Sequence, residues 1–161
     1  MRDKGAVGKK DLAAAWETLS VAEQLALAEP DERQEVLDEL TDKEVLELSY
    51  DWHFWGRPKQ LAPPGMWLTW MIRAGRGFGK TRAGVGWVQE RALGEPFRWI
   101  ALVAKTPADA RDFMIEGPGG FLDKRGLNVA PAERPLFEPS KRRLTWPNGS
   151  WATIFSDEDP E

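Results

Sequence analysis

The residues with the clearest chemical potential form a glycine-rich segment, Ala74-Gly-Arg-Gly-Phe-Gly-Lys-Thr81. Glycines let a backbone curl around a phosphate group with its N–H groups pointing inward. A helix predicted to begin at Lys80 would add unpaired N–H groups and the positive end of its dipole. Lys80 would then reach the β- and γ-phosphates, and the Thr81 hydroxyl would bind Mg²⁺. The segment therefore predicts a site for a nucleoside triphosphate.

The elements on either side of this loop support that interpretation. The apolar run from Trp67 to Ile72 predicts a strand ending near Arg73, and the helix is expected to run to about Leu93. A strand, a glycine-rich turn and a helix that opens with Gly-Lys-Thr form the context of a phosphate-binding loop. The strict pattern begins with glycine, and this chain has Ala74 there, so only the relaxed pattern fits. Two glycines inside the helix, Gly84 and Gly86, predict a close approach to a sheet.

The chain beyond the helix predicts further α/β structure. Phe97 to Ala104 is an almost continuous apolar run, which is typical of a strand buried on both faces of a parallel sheet. Thr106-Pro-Ala-Asp109 is a helix start, and that helix is expected to end near Gly117. Asn148-Gly149 between two alternating segments predicts a hairpin of residues 143–146 and 150–155, and Leu136-Phe137 adds a third short strand.

The N-terminal region has a helical sequence pattern instead of an α/β one. Residues 1–10 are expected to be disordered, and residues 11–51 have a helical pattern that includes a capping box, Thr41-Asp-Lys-Glu44. A Pro- and Gly-rich linker follows, over residues 56–65. We therefore expect an acidic helical appendage at residues 1–56 and a partial ATPase domain at residues 57–161.

Composition narrows the function classes. The 161 residues include no cysteine and one histidine, His53, which excludes disulfides and makes a cysteine- or histidine-based metal site a poor explanation. The net charge of −4 hides an asymmetry, because acidic residues dominate before Arg57 and basic residues dominate after it. The C-terminal part is thus suited to a polyanion and the N-terminal part to a protein, although charge alone favours the simpler interpretation of two ordinary solvated surfaces. With no signal peptide or long apolar run, a soluble intracellular protein without membrane contact is expected.

Three features together narrow the class of phosphate-binding loop. Arg76 lies inside the loop, Gln60 lies in a Pro-flanked segment upstream, and Pro139-Ser-Lys-Arg-Arg-Leu-Thr-Trp-Pro-Asn-Gly149 follows downstream. In these features, and over about residues 50–155, the chain resembles the large terminase subunit of tailed bacteriophages and related gene-transfer agents. That family is an ATP-driven motor that packages DNA into a procapsid.

The resemblance implies a fold, partners and residue roles. The fold would be an incomplete P-loop ATPase core of the additional-strand, catalytic-glutamate type, with a parallel sheet after a small helical appendage and a β-hairpin at its end. ATP and Mg²⁺ would be the cofactors, in the cytoplasm of a bacterial host. Double-stranded DNA, the portal or procapsid, the small terminase subunit and other copies in a ring would be the partners. Lys80 and Arg76 would be catalytic, Thr81 would bind the metal, and Gln60 would recognise adenine. The expected nucleotide-binding residues are Gln60, Gly75, Arg76, Gly77, Phe78, Gly79, Lys80, Thr81 and Arg82.

One part of the family's catalytic machinery has no convincing counterpart. The family needs an apolar strand that ends in Asp-Glu, and the nearest match is Ile154-Phe-Ser-Asp-Glu158, which Ser156 interrupts. This segment also closes a hairpin, where the family has a peripheral strand, so we interpret it as a decoy. The family's nuclease domain is absent as well. The chain is therefore expected to hydrolyse ATP slowly or not at all. Two other readings stay open: a non-catalytic remnant acting by protein association, and another P-loop ATPase such as a helicase-like protein.

Overall fold

A computed structural model describes residues 15–123 and 129–157 of the chain. The chain divides into two compact units, Met1–Gly65 and Met66–Glu161. Among the described residues, no helix has the length and apolar character that a membrane span requires. The expected disorder at residues 1–10 lies outside the described residues. The helices that the structure describes in the first unit include α1 (Val21–Leu27), α2 (Pro30–Asp38), α3 (Asp42–Tyr50) and α4 (Trp52–Trp55), followed by a 3₁₀ turn (Pro58–Gln60).

Capping residues set the boundaries of the first unit's helices. The predicted capping box at Thr41 and Glu44 is confirmed, and a second one, Ser20 with Glu23, begins α1. The buried residues of this unit include Ser20, Trp52 and Gln60. Neither α2 nor α3 buries any residue within the described structure. Apolar residues of both helices are therefore exposed to solvent.

The second unit combines one long helix with a sheet. Its elements are α5 (Lys80–Gly94), β1 (Trp99–Ala104), α6 (Pro107–Asp109) running into a π-helical turn (Ala110–Ile115), a 3₁₀ turn (Pro131–Glu133), β2 (Leu136–Glu138), a 3₁₀ turn (Pro139–Lys141), β3 (Arg143–Thr145) and β4 (Trp151–Ser156). Helix α5 has the predicted bounds to within a residue. The helix predicted after Thr106 begins at its expected cap, because the Thr106 hydroxyl accepts from Asp109 N–H, but most of it is π-helical.

The sheet is mixed rather than parallel throughout. Its strand order is β1-β4-β3-β2, in which β1 and β4 are parallel and the other neighbours are antiparallel. The predicted hairpin of β3 and β4 and the third short strand β2 are confirmed. Strand β4 lies inside the sheet, between β1 and β3, so the expectation of a peripheral position for the segment ending at Ser156 is wrong. The long connection from β1 allows β4 to return parallel to it, while the tight Asn148-Gly149 turn makes β3 its antiparallel neighbour.

One face of the sheet carries the hydrophobic core. Helix α5 and the π-helical turn contribute Val85, Val88 and Ile115, and they pack against Leu102 and Ile154 of the two parallel strands. On the opposite face Trp99 and Val103 are 61% and 60% exposed. The prediction that β1 is buried on both faces is therefore wrong. An apolar run predicts burial of a strand only where a second layer exists to cover it.

The predicted strand before the loop does not form. Trp67 to Arg73 pairs with no strand in the described part of the chain. Instead, Trp67 packs on Trp70 and on Trp87 of α5, with ring centroids 6.2 Å and 6.0 Å apart. A strand needs a neighbour for its backbone N–H and C=O groups, and the sequence pattern does not reveal whether one is available. Trp67 therefore packs on the helix, whereas Leu68 and Met71 of the same run are exposed.

Three hydrogen bonds fix the direction of α5 on the sheet. Asn148 Nδ2 donates to Ala92 O at 2.7 Å, and Ser150 Oγ donates to Glu95 O at 3.0 Å. Trp146 Nε1 donates to Gln89 Oε1 at 2.7 Å within the core. The C-terminal end of α5 therefore lies beside the start of β4. Its N-terminal end, with the glycine-rich loop, points toward the edge where β1 and β4 end.

Candidate nucleotide-binding site

The glycine-rich loop leads directly into the first turn of α5. Gly77 and Gly79 have φ angles of +82° and +92°, a backbone region that favours glycine. Gly79 is the residue that caps the helix, and Lys80 is its first helical residue. Gly79 occupies the N-cap position but has no side chain that could accept a hydrogen bond from the first N–H groups of the helix. The N–H groups of Lys80 and Thr81 also have no acceptor within the helix. The loop therefore presents backbone donors at the positive end of α5.

Lys80 folds back across the loop. Its Nζ donates to Ala74 O at 3.0 Å and to Gly75 O at 2.9 Å. These bonds link the end of the Lys80 side chain to the start of the loop, so its ammonium group lies against the carbonyl oxygens of Ala74 and Gly75. Lys80 is exposed, so these two hydrogen bonds are exchangeable for bonds to an anion without breaking the core.

Charge around the loop favours an anion. From Met66 to Gln89 the chain contains four basic residues and no acidic residue. Two of them, Arg76 and Lys80, are exposed at the loop itself. A local excess of positive charge next to a helix N-terminus attracts phosphate and carboxylate groups. The position of Arg76 is consistent with contact to a bound polyanion, and its expected catalytic role stays a prediction.

Arg82, one turn into α5, is a partly desolvated cation. Burial lowers the pKa of Arg82 to about 10, and the nearby Asp123 carboxylate opposes that shift. Asp123 also accepts a hydrogen bond from Gly119 N at 2.8 Å. Since the lowered pKa still lies well above neutral pH, the guanidinium keeps its charge there. Sequence motifs gave no indication of this pair, because Asp123 lies 41 positions after Arg82.

The structure leaves the expected metal role of Thr81 as a prediction. Thr81 follows Lys80 at the start of α5, the position that a phosphate-binding loop uses to contact Mg²⁺. Within the described ranges, no group of three or more Asp, Glu or His side chains could hold a metal ion. Mg²⁺ usually needs only one or two protein ligands when phosphates supply the rest. The residues present thus fit Mg²⁺ brought in by a nucleotide better than a resident metal.

The two carboxylates considered for catalysis fall at the end of β4. Asp157 is exposed, and its N–H donates to Ala104 O at 3.0 Å, while Glu158 lies outside the described residues. Asp157 follows an inner strand of the sheet, on the edge toward which the loop points. A peripheral strand was one of the two reasons to interpret this segment as a decoy, and that reason fails because β4 lies between β1 and β3. The interruption by Ser156 remains, and the Ser156 side chain is buried and donates to Lys105 O.

Gln60 and the basic segment near β3 are less directly informative. Gln60 belongs to the first unit, where it is buried and its Oε1 accepts from Arg57 N at 3.0 Å. Adenine recognition by Gln60 therefore stays a prediction.

In the basic segment at the start of β3, Lys141 pairs with Glu138, and Arg143 lies over the Trp151 ring. This basic segment leads into β3, an inner strand of the sheet, and DNA as a partner stays a prediction.

No family model, curated protein or solved structure matches this chain, so the resemblance to large terminase subunits rests on its motifs alone.

Proposed function

We propose that the chain is the ATP-binding portion of a DNA-packaging motor of the large terminase type, whose parent protein couples ATP hydrolysis to DNA translocation into a procapsid. One observation carries the proposal. The glycine-rich loop opens a long helix at the carboxyl edge of the parallel strand pair, and Lys80 lies across that loop. Ligands of open α/β sheets bind at this edge. The motif resemblance supplies the motor class.

Binding would use groups already positioned around the loop. Backbone N–H groups of Gly77 to Thr81 would surround the phosphates, and Lys80 would exchange its two carbonyl acceptors for phosphate oxygens. Arg76 would neutralise charge that develops on the transferred phosphoryl group. The Thr81 hydroxyl would contact the Mg²⁺ that accompanies the nucleotide.

Hydrolysis is expected to be slow or absent for this chain alone. The attacking water needs a carboxylate that activates it, and the nearest sequence match to the family's Asp-Glu pair, Asp157-Glu158, follows an apolar run that Ser156 interrupts. DNA, the portal, the small terminase subunit and a ring of copies would be partners of the complete motor.

Nucleotide binding and turnover by the purified chain test the proposal. ATP with Mg²⁺ should bind, and Lys80→Ala should weaken that binding by at least tenfold through loss of charge-assisted hydrogen bonds. Lys43→Ala, which changes an exposed lysine of α3, is the matched control and should bind as the parent does. Equal binding by Lys80→Ala and the parent would refute the site. Fast turnover that Asp157→Asn or Glu158→Gln abolishes would instead assign the catalytic carboxylate to this chain.

A second function is favoured by the exposed apolar surface of the first unit. Val36 and Leu37 of α2, and Val45 and Leu46 of α3, are between 42% and 60% exposed. A non-catalytic remnant that associates with another protein would use such a surface. This alternative survives if no ATP binds at millimolar concentration, and it fails if binding depends on Lys80.

A further inference from the structure

A cavity of about 530 Å³ lies between α5 and the segment that precedes the glycine-rich loop. Trp67, Trp70 and Ile72 line it on one side, and Lys80, Gly84 and Trp87 line it on the other. This volume is in the range of small-molecule sites in proteins. Its walls are mainly apolar, with the Lys80 side chain as the charged group at its border.

Aromatic rings dominate the cavity walls. The Trp67 ring lies 6.2 Å from Trp70 at an interplanar angle of 58°, and 6.0 Å from Trp87 at 40°. The three rings are tilted rather than stacked on one another, and the Arg91 guanidinium lies 6.0 Å from the centroid of the Trp87 ring. Aromatic side chains of this kind can stack with flat rings, and every nucleobase offers such a face.

The cavity is continuous with the proposed phosphate site along one face of α5. Lys80, Gly84 and Trp87 are spaced by four and three residues, which places them on the same side of the helix. The helical rise puts Trp87 about 10 Å beyond Lys80. At Gly84, an added Cβ would meet no described atom within 4 Å outside its own helix turn. The helix therefore leaves open space between the lysine and the tryptophans, which contradicts the expectation that Gly84 permits close contact with the sheet.

We propose that this tryptophan-lined cavity binds the base of the nucleotide whose phosphates occupy the loop. The inference rests on the proposed function, because the loop must hold the phosphates for the base to reach the cavity. Lys80 borders both sites, so one ligand can occupy them together. Stacking makes little distinction among bases, since every base has a π-face. ATP and GTP should therefore bind with affinities within a few-fold of each other, whereas hydrogen-bond recognition by a residue such as Gln60 would favour ATP strongly.

Calorimetric titrations of the full chain with ATP and with inorganic tripolyphosphate, both with Mg²⁺, separate the base from the phosphates. Trp67→Leu should weaken ATP binding about tenfold and leave tripolyphosphate binding unchanged, because only ATP carries a stacking ring. Gly84→Leu fills the cavity from the helix without removing a tryptophan, and it should cause the same selective loss. Trp99→Leu, which changes an exposed tryptophan on the open face of the sheet, is the control and should affect neither ligand.

Different results would refute different claims. If tripolyphosphate binding depends on Lys80 but both cavity variants bind ATP as the parent does, the base proposal fails and the phosphate site stands. A strong preference for ATP over GTP that Gln60→Ala removes would also overturn the base proposal. If Lys80→Ala binds both ligands as the parent does, the proposed function itself fails. Circular dichroism of each variant establishes that it is folded, and the two cavity variants act on opposite walls, so one folded variant suffices.

Discussion

Replacing Gln89 by leucine should destabilise the second unit by about 2 kcal/mol. The Gln89 side chain is buried, its Oε1 accepts from Trp146 Nε1 at 2.7 Å, and its Nε2 donates to Glu133 O at 3.3 Å. Leucine keeps approximately the same volume but can neither accept nor donate. The indole N–H of Trp146, a residue only 1% exposed, would then lack a partner, and an unsatisfied buried donor costs about 1–3 kcal/mol.

Urea unfolding followed by far-ultraviolet circular dichroism measures this change. With a dependence of about 1–3 kcal/mol per molar urea, the midpoint of the second unit's transition should fall by roughly 1 M. Arg73→Gln, an exposed change in the same unit, is the control and should stay within about 0.5 kcal/mol of the parent.

A double-mutant cycle sharpens the test. Trp146→Phe removes the donor that Gln89→Leu leaves unsatisfied, so the double variant should be less destabilised than the sum of the two single variants, by about 1 kcal/mol or more. Strict additivity, or parental stability of Gln89→Leu, would refute the hydrogen bond. It would also remove one of the three hydrogen bonds that set the direction of α5 on the sheet.

Three further predictions test other parts of the structure. Gly84→Ala should raise the free energy of unfolding by about 0.5–1 kcal/mol, because alanine favours the helix and its Cβ has room; a lower melting temperature would contradict this. Asp123→Ala should destabilise the chain by about 1–3 kcal/mol in urea, since Gly119 N–H loses its acceptor and the partly buried Arg82 loses a compensating charge, while Asp123→Asn should cost less; equal effects of the two would argue against the Gly119 bond. Hydrogen bonds from the Thr41 backbone N–H and hydroxyl lower the pKa of Glu44 below its ordinary value of 4.5. Its stabilisation of α3 is therefore present above that value and lost as the pH falls through the lowered pKa, which an NMR titration of the carboxyl and a Glu44→Gln comparison should show.

Local signals predicted the local structure. The Thr41 and Thr106 caps, the bounds of α5 and the Asn148-Gly149 hairpin each depend on residues within a few positions, and all of them form as expected. The Ser20 capping box was overlooked although Ser20 and Glu23 carry the same pattern as Thr41 and Glu44. These features are predictable because capping and turn geometry act within a single turn of chain.

Features that depend on distant partners were not predictable. The run from Trp67 to Arg73 resembles a strand, but strand formation depends on a neighbour that no local pattern reveals. The parallel pairing of β1 with β4 joins residues about 50 positions apart, and the Gln89–Trp146 bond spans 57. Within the candidate site, the glycine-rich loop and its basic residues could be identified from the sequence. The tryptophan cavity and the Arg82–Asp123 interaction could be identified only from the tertiary structure.

Backbone amide shifts during a titration of the full chain with ATP and Mg²⁺ test the central claim most directly. NMR of the labelled protein should show the largest changes at Gly77, Gly79, Lys80 and Thr81, because these N–H groups would surround the phosphates. The same titration of Lys80→Ala should show much smaller changes. Shifts confined to the basic segment 141–143, or equal shifts in the variant and the parent, would contradict a phosphate site at this loop.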